Sequence, residues 1–223
     1  MELLQSQNRN DGSFDVQSIV EKSPSVPNAP NYKVLVLFGT RPEIIKLAPV
    51  IRELKSKKFQ TIVVSSGQHT DLLAPFLQLL KIEVDYNLNV MTENQTPNQV
   101  LSKVLSSFDE VLEAEKPDMI LVQGDTSTTL AGGLAGFSRK IPVGHIEAGL
   151  RSGNLLSPFP EEMNRRMVSQ IASFNFCATE GNRNNLLTEK ISEGQIFVTG
   201  NTVVDSLHFI LSKPLDQAQK CES

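Results

Sequence analysis

The chain has 223 residues, of which 39% are hydrophobic, and it carries a formal net charge of -4 at a pI near 5.5. This length suffices for one domain with a full core, and the acidic balance argues against a polybasic surface for nucleic acid or a membrane. Tryptophan is absent and aromatic residues make up only 6%, which disfavours aromatic platforms for sugars or bases.

The N-terminal residues and the cysteines indicate the class of protein. The first residues lack a basic region and a long apolar run, so no signal peptide is expected, and no apolar segment reaches the ~18 residues of a membrane span. Cys177 lies in an apolar run and is expected to be a small core residue, whereas Cys221 lies in a polar tail. Because their spacing is not that of a metal site, we expect a reduced, cytoplasmic protein without bound metal.

The chain divides into three parts. Residues 1–31 are polar and contain S-P-S-V-P-N-A-P-N, which predicts a flexible, proline-rich extension. Residues 32–210 alternate apolar runs of strand length with segments of helical periodicity, and residues 211–223 form a polar tail. The predicted strands are K-V-L-V-L-F, Q-T-I-V-V-S-S, D-M-I-L-V-Q, I-P-V-G-H-I, F-N-F-C-A-T and Q-I-F-V-T-G.

This alternation predicts an α/β domain with a Rossmann-like, doubly wound parallel sheet. Continuous apolar runs suit strands that are buried on both faces. Ligands of such sheets bind at the carboxyl ends of the strands, near a topological switch point. The residues that follow each strand are therefore the candidates for function.

The segment F-G-T-R-P-E follows the first predicted strand and opens a helix, with Thr40 as the expected N-cap. Arg41 is unusual there, because a cation at a helix N-terminus is unfavourable unless an anion is near. A phosphate contact and a local pair with Glu43 explain Arg41 equally well. Lys46, one turn on, either faces the same site or is solvated. The segment is neither G-x-G-x-x-G nor a P-loop.

Two further strand ends carry polar residues. Gln68 and His69, in S-S-G-Q-H, are able to bind a ligand, although a loop histidine is more often a surface residue. Asp125 and Thr126, in Q-G-D-T-S-T-T, either cap the next helix or belong to a site, since four hydroxyls and a carboxylate exceed what capping needs. The small residues A-G-G-L-A-G of that helix would let backbones approach closely.

The stretch H-I-E-A-G-L-R-S-G brings His145, Glu147 and Arg151 to the lip of the sheet. His145 is either a ligand contact or a satisfied structural residue. In S-P-F-P-E-E-M-N-R-R, Glu161 and Glu162 stand at a helix start, and Arg165 and Arg166 follow one turn later. Dipole placement and i,i+4 pairing are the alternative explanation for one or both glutamates.

Three acids, Asp125, Glu147 and Glu161, follow separate strands, so a parallel sheet brings them to one crevice. Grouped carboxylates can hold and transfer a proton, and Arg41 at the same edge can hold an anionic leaving group. This combination fits chemistry on a phosphorylated or nucleotide-activated substrate.

Seven motifs, in order between Lys33 and Leu207, together resemble the non-hydrolysing UDP-N-acetylglucosamine 2-epimerases. They are F-G-T-R-P-E-I-I-K-L-A-P-V-I, S-G-Q-H, Q-G-D-T-S-T-T-L-A, H-I-E-A-G-L-R-S, S-P-F-P-E-E-M-N-R, A-T-E and V-T-G-N-T-V-V-D-S-L. The resemblance implies the N-terminal half of the GT-B architecture, in which two Rossmann-like domains flank a cleft. It also implies an isomerase that interconverts UDP-GlcNAc and UDP-ManNAc, whose product is used for surface polysaccharides. The implied mechanism eliminates UDP to give 2-acetamidoglucal and then adds UDP back, without a metal or NAD.

The resemblance also implies residue roles. Asp125, Glu147 and Glu161 match the catalytic acids, and Arg151 is expected as the electrostatic neighbour of Glu147. The residues expected to bind substrate are Arg41, Lys46, Gln68, His69, Thr126, His145, Arg151 and Arg165.

The chain departs from the family pattern at its C-terminal end. The family's C-terminal domain, with most uridine and diphosphate contacts and a catalytic histidine, is not represented up to Ser223. We therefore expect residues 211–223 to begin that domain, and the chain to be inactive without it or a split partner. The full-length family is expected to form homodimers. The alternative is a non-catalytic nucleotide-sugar-binding or regulatory module derived from the same fold.

Overall fold

The structure, a computed structural model, describes residues 31–67, 70–90, 92 and 94–212. The expected N-terminal extension and C-terminal tail lie almost wholly outside the described residues. Within the described part, seven strands form one parallel sheet: β1 (Lys33–Phe38), β2 (Gln60–Ser65), β3 (Tyr86–Asn87), β4 (Met119–Gln123), β5 (Val143–Ala148), β6 (Phe174–Cys177) and β7 (Ile196–Val198).

Helices connect the strands, as the periodicity predicts. In chain order they are α1 (Arg41–Ser56), α2 (Thr70–Leu80), α3 (Pro97–Glu115), α4 (Ser127–Ser138), α5 (Glu161–Ile171), α6 (Glu180–Thr188) and α7 (Val203–Leu211), with a 3-10 turn at Glu193–Gln195. Among the helices in the described part of the chain, none is both long and apolar enough to cross a membrane.

The strand order is β3-β2-β1-β4-β5-β6-β7, and every pairing is parallel. The chain runs outward from β1 in one direction and then returns to place β4 on the other side of β1, with Val36 beside Leu121. The predicted doubly wound sheet is confirmed, and its switch point lies between β1 and β4. Ligand crevices of such sheets open at that point, on the carboxyl edge.

The core lies on both faces of the sheet, because successive side chains of a strand point in opposite directions. Leu35 and Leu37 pack with Val122 in one cluster, whereas Val36 and Phe38 pack with helix α1 in the other. Helix α1 buries one face at helical spacing, with Ile44, Leu47, Ala48, Val50, Ile51 and Leu54 inside. The apolar runs thus form strands that are covered on both sides, as predicted.

Helix α4 packs closely against the sheet through its small residues. An added Cβ on Gly136 would lie 2.5 Å from Val143 Cγ2 and 3.0 Å from Ile120 Cδ1. The glycine therefore permits a helix-to-strand distance that a larger residue would not, which confirms the expected close backbone approach.

One local prediction is confirmed, and one short strand was missed. Cys177 is fully buried with a free thiol, and burial raises its pKa to about 12, so the expected core role is confirmed. The two-residue strand β3 was not predicted, because it pairs only with Val64 and Ser65 and is too short to show a period.

Candidate active site

Glu147 lies at an irregular end of β5. The register against β6 shifts between Ile146 and Ala148, and Glu147 has a φ of +65°. A non-glycine residue with positive φ is uncommon, and such strain together with a bulge is typical of functional sites. The bulge turns the Glu147 carboxylate toward the carboxyl edge of β1 and β4.

Two side chains from neighbouring elements hold this carboxylate. Lys46 Nζ, on α1, lies 2.6 Å from both Glu147 Oε1 and Oε2, and Gln123 Nε2, at the end of β4, donates to Oε2 at 2.6 Å. The Lys46 and Glu147 side chains are 22% and 20% exposed, so the ion pair is accessible from one side only. Lys46 therefore faces the site, which excludes the alternative of a solvated surface lysine.

Asp125 lies one strand away, after the turn at Gly124, and it pairs with the guanidinium of Arg165 on α5. Asn164 Nδ2 also donates to the backbone oxygen of Asp125 at 2.8 Å. The start of α5 is thus docked on the end of β4. Asp125 and Arg165, both predicted from sequence, meet as an ion pair, whereas Thr126 is the N-cap of α4.

Glu161 is the first residue of α5, next to the residues that dock on Asp125. It follows β5, the strand that carries Glu147, so the prediction that the three acids follow separate strands is wrong. Glu161 Oε2 is buried and has no hydrogen-bond partner among the described residues. A buried carboxylate oxygen without a donor is costly unless a ligand or water supplies one. This third acid therefore differs from the other two, each of which has a cationic partner.

The adjacent Glu162 was only partly recognised in the sequence. Its side chain is 0% exposed and accepts from the Ser152 amide at 3.0 Å, from Arg166 Nε at 3.1 Å and from Arg165 NH1 at 3.3 Å. Glu162 therefore fixes Arg165, and through it the docking of α5. A pair of glutamates at a helix start does not reveal which one points inward.

Glu43 also has partners that the sequence did not indicate. Its carboxylate accepts from the Gly39 and Thr40 amides and from the Thr126 and Thr129 hydroxyls. The alternative that Glu43 pairs with Arg41 is therefore wrong. The exposed Arg41 instead has its guanidinium carbon 5.9 Å from the centre of the Phe76 ring.

His145 is buried and has a partner at each ring nitrogen, as a structural histidine would, and its contact with a ligand stays a prediction. It is 0% exposed, its Nε2 lies 2.7 Å from Gly124 O and its Nδ1 lies 3.3 Å from Ser169 Oγ. Burial lowers the pKa of His145 to about 4, so the ring is neutral and helps to fix the Gly124 turn beneath Asp125.

Arg151 does not lie beside Glu147, so that expectation is wrong. Its Nε and NH2 each lie 2.8 Å from a carboxylate oxygen of Glu189. The reason is Gly149, whose φ is +82° and where an added Cβ would lie 2.3 Å from Asn182 O. This turn directs the following residues toward α6 and away from the β4 end.

Gln68 and His69 lie outside the described residues. Among the residues that are described, no group of three or more His, Cys, Asp or Glu side chains is arranged to hold a metal ion. We call the hydrogen-bonded set of Glu43, Lys46, Gln123, Thr126, Thr129 and Glu147 the strand-end cluster. In it Lys46 holds the Glu147 carboxylate at the switch point, and the exposed Arg41 stands at the start of α1, beside the cluster in sequence.

The fold and these groups define a Rossmann-like α/β domain of the GT-B class with its crevice at the carboxyl edge. The profile of the family described as UDP-N-acetylglucosamine 2-epimerase matches residues 52–222. The chain therefore belongs to the UDP-N-acetylglucosamine 2-epimerase family.

Individual relatives agree with this assignment. A UDP-N-acetylglucosamine 2-epimerase of Neisseria meningitidis is 51% identical over 182 residues, covering 81% of this chain and 49% of the relative. The Yersinia pestis protein of the same name is 46% identical over 185 residues, covering 82% and 49%. The crystal structure of UDP-GlcNAc 2-epimerase from Neisseria meningitidis bound to UDP-GlcNAc has a TM-score of 0.80 at 48% identity, covering 84% and 52%. The chain spans about half the length of the relatives it matches.

Proposed function

We propose that this chain supplies the sugar-facing half of the active site of a UDP-GlcNAc 2-epimerase. This enzyme is an isomerase that interconverts UDP-GlcNAc and UDP-ManNAc. The observation that carries the proposal is the carboxylate of Glu147, held at positive φ between Lys46 and Gln123 at the switch point of the sheet. UDP-GlcNAc is bound in the crystal structure of the 48% identical Neisseria meningitidis relative, which supports the choice of substrate.

The chemistry must invert C2, whose proton is not activated by a carbonyl. In the proposed first half, a carboxylate removes the C2 proton while the C1–O bond breaks, and UDP leaves with the electron pair of that bond. A C1–C2 double bond forms, giving 2-acetamidoglucal. In the second half, a carboxyl group whose proton exchanges with water delivers a proton to the other face of C2, while an oxygen of the UDP diphosphate forms the new bond to C1.

We assign the proposed roles in this reaction to three groups of residues. Asp125, Glu147 and Glu161 are the proposed catalytic acids, since nearby carboxylates stabilise positive charge developing at C1 and can exchange a proton with C2. Lys46 holds both oxygens of Glu147 and so fixes the direction of its lone pairs. Arg41 and Arg165 are the proposed contacts to the anionic part of the substrate.

The proposed active unit includes a second, C-terminal domain and a homodimeric assembly in the cytoplasm. The leaving UDP would otherwise remain solvated, and a closed cleft strengthens every charge interaction with it. The fact that the relatives are about twice as long supports the need for a second domain.

The test combines the purified chain with the C-terminal half of the Neisseria meningitidis relative and follows the sugar anomeric signals of UDP-GlcNAc by NMR. We expect negligible turnover by the chain alone and interconversion when both halves are present. Ordinary epimerisation by the chain alone would show that the second domain is not needed. Binding of UDP-GlcNAc without turnover by the combined halves would favour the alternative, a binding or regulatory module.

A further inference from the structure

Glu43 occupies the narrow space between the loop after β1 and the loop after β4. It is the third residue of α1, yet only 2% of it is exposed. On one side, its Oε2 accepts from the Gly39 amide at 3.0 Å and from the Thr40 amide at 2.6 Å. These bonds fix the turn that presents Arg41.

The other oxygen of the same carboxylate reaches a segment more than 80 residues away in sequence. Glu43 Oε1 accepts from Thr126 Oγ at 2.8 Å and from Thr129 Oγ at 3.1 Å. The single Thr129 hydroxyl proton is shared between Glu43 Oε1 and the nearer backbone oxygen of Gln123, at 2.6 Å, and the Gln123 side chain bonds Glu147. The polar groups at the ends of β1, β4 and β5 are therefore connected through one buried carboxylate.

Helix capping alone does not explain this burial. A glutamate at the third position can cap a helix from the surface, where its charge stays hydrated. Burial raises the pKa of Glu43 above its usual range, and the donors of the two loops oppose that shift. A charge kept in the interior at such a cost needs a full set of partners, and here two loops supply them.

We infer that Glu43 is a positioning residue that fixes the loop carrying Arg41 to the loop carrying Asp125. The two loops then present the anion contact and the acid to one substrate with a constant separation. The inference rests on the proposed function for the identity of that substrate, but its test needs no turnover. Glu43 itself lies beneath the crevice.

Glu43→Gln separates the two sides of the link. Backbone amides only donate, so the oxygen of the new amide must face Gly39 and Thr40, which keeps the first loop bonded. The NH2 group then faces Thr126 and Thr129, whose hydroxyls must turn to accept from it, so the charge-assisted bonds on this side are replaced by weaker neutral ones. If Glu43 links the two loops, the variant should therefore speed amide exchange in the distant segment, residues 123–131. If Glu43 only caps α1, faster exchange should appear in the first loop.

The experiment is amide hydrogen exchange on the full chain, resolved over residues 39–46 and 123–131. In Glu43→Gln we expect exchange of the distant segment to rise about fivefold or more, with residues 39–46 within about twofold of wild type. The matched control is Glu53→Gln on the same helix, where the side chain is 40% exposed and its ion pair within the described residues is with Lys57, and it should leave both segments unchanged. A rise confined to residues 39–46, or no rise, would overturn the inference.

A second variant decides the matter if Glu43→Gln does not fold. Thr126→Val removes a donor from the other loop, so exchange at residues 39–46 should rise about threefold although that segment is untouched. No change there would overturn the link. A confirmed link together with failure of the combined halves to bind or turn over UDP-GlcNAc would contradict the proposed function alone.

Discussion

The strand-end cluster and the loop that joins β5 to α5, residues 149–160, start from the same strand but differ in how they are held. In the cluster, each charged side chain has a partner from another element, as Lys46 does in Glu147. In the β5–α5 loop, residues 152–159 are exposed, with Leu156 at 74% and Phe159 at 68%. Glu147 in the cluster and the neighbouring Asp125 are thus fixed by Lys46 and Arg165, whereas Glu161 lies at the end of an exposed loop.

Loss of the central acid of the cluster should have the largest effect. Glu147→Gln keeps the shape of the side chain but removes its charge and its ion pair with Lys46. In the combined halves we expect turnover to fall by about 10²–10⁴-fold, the range of general acid–base catalysis. Glu53→Gln should retain the wild-type rate in the same NMR assay. A rate for the Glu147 variant within about threefold of wild type would remove it from the mechanism.

The next largest effect is expected for Glu162, which fixes Arg165 and so connects the β5–α5 loop to the end of β4. Glu162→Ala removes a fully buried carboxylate between Arg165 and Arg166, and we expect the free energy of unfolding in urea to fall by about 3–5 kcal/mol. The matched variant Glu193→Ala removes an exposed partner of Arg183 and should leave stability nearly unchanged. Equal effects would show that burial does not distinguish the two acids.

Acid sensitivity tests whether His145, which holds the Gly124 turn beneath Asp125, is buried in its neutral form. Because burial lowers the folded-state pKa of His145 from 6.5 to about 4, the unfolded chain binds a proton first as the pH falls. The neutral ring therefore stabilises the fold above pH 6.5, and this contribution is lost between about pH 6.5 and 4, by roughly 3 kcal/mol.

The measurement compares His145→Gln with wild type in urea across that range. The variant should lose less stability on acidification, while His208→Gln, at an exposed position, should behave like wild type. If the free energies of unfolding of wild type and His145→Gln fell in parallel with pH, His145 would not be buried in its neutral form.

The smallest effect belongs to the β5–α5 loop. Leu156→Ser should change the free energy of unfolding by less than about 0.5 kcal/mol, because the side chain is already hydrated. Leu37→Ala, in the core of β1, should cost about 2–5 kcal/mol. A large loss for the Leu156 variant in the same urea titration would show that this loop packs on the domain.

Much of the fold could be predicted because the strands are buried on both faces. K-V-L-V-L-F and D-M-I-L-V-Q are continuous apolar runs, and they form β1 and β4 on either side of the switch point. The edge strand β3 has two residues and no period to detect. The alternation of strands and helices then located the candidate residues on one edge of the sheet.

The partners within the site were less predictable than its members. Helical spacing left Lys46 either facing the site or solvated, and the structure pairs it with Glu147. Arg151 was expected beside Glu147 because it is near in sequence, but the Gly149 turn directs it to Glu189. Contacts such as Glu43 with Thr126 join residues 83 positions apart, and no local spacing indicates them.

The central claim is that the strand-end acids exchange a proton with C2 of a UDP-sugar, and isotope incorporation tests it directly. The chain and the C-terminal half are combined in D2O with UDP-GlcNAc, and deuterium at C2 is measured by NMR and mass spectrometry. The account predicts deuterium at C2 of the UDP-ManNAc formed, with incorporation abolished by Glu147→Gln. UDP-ManNAc formed without deuterium at C2 would contradict it.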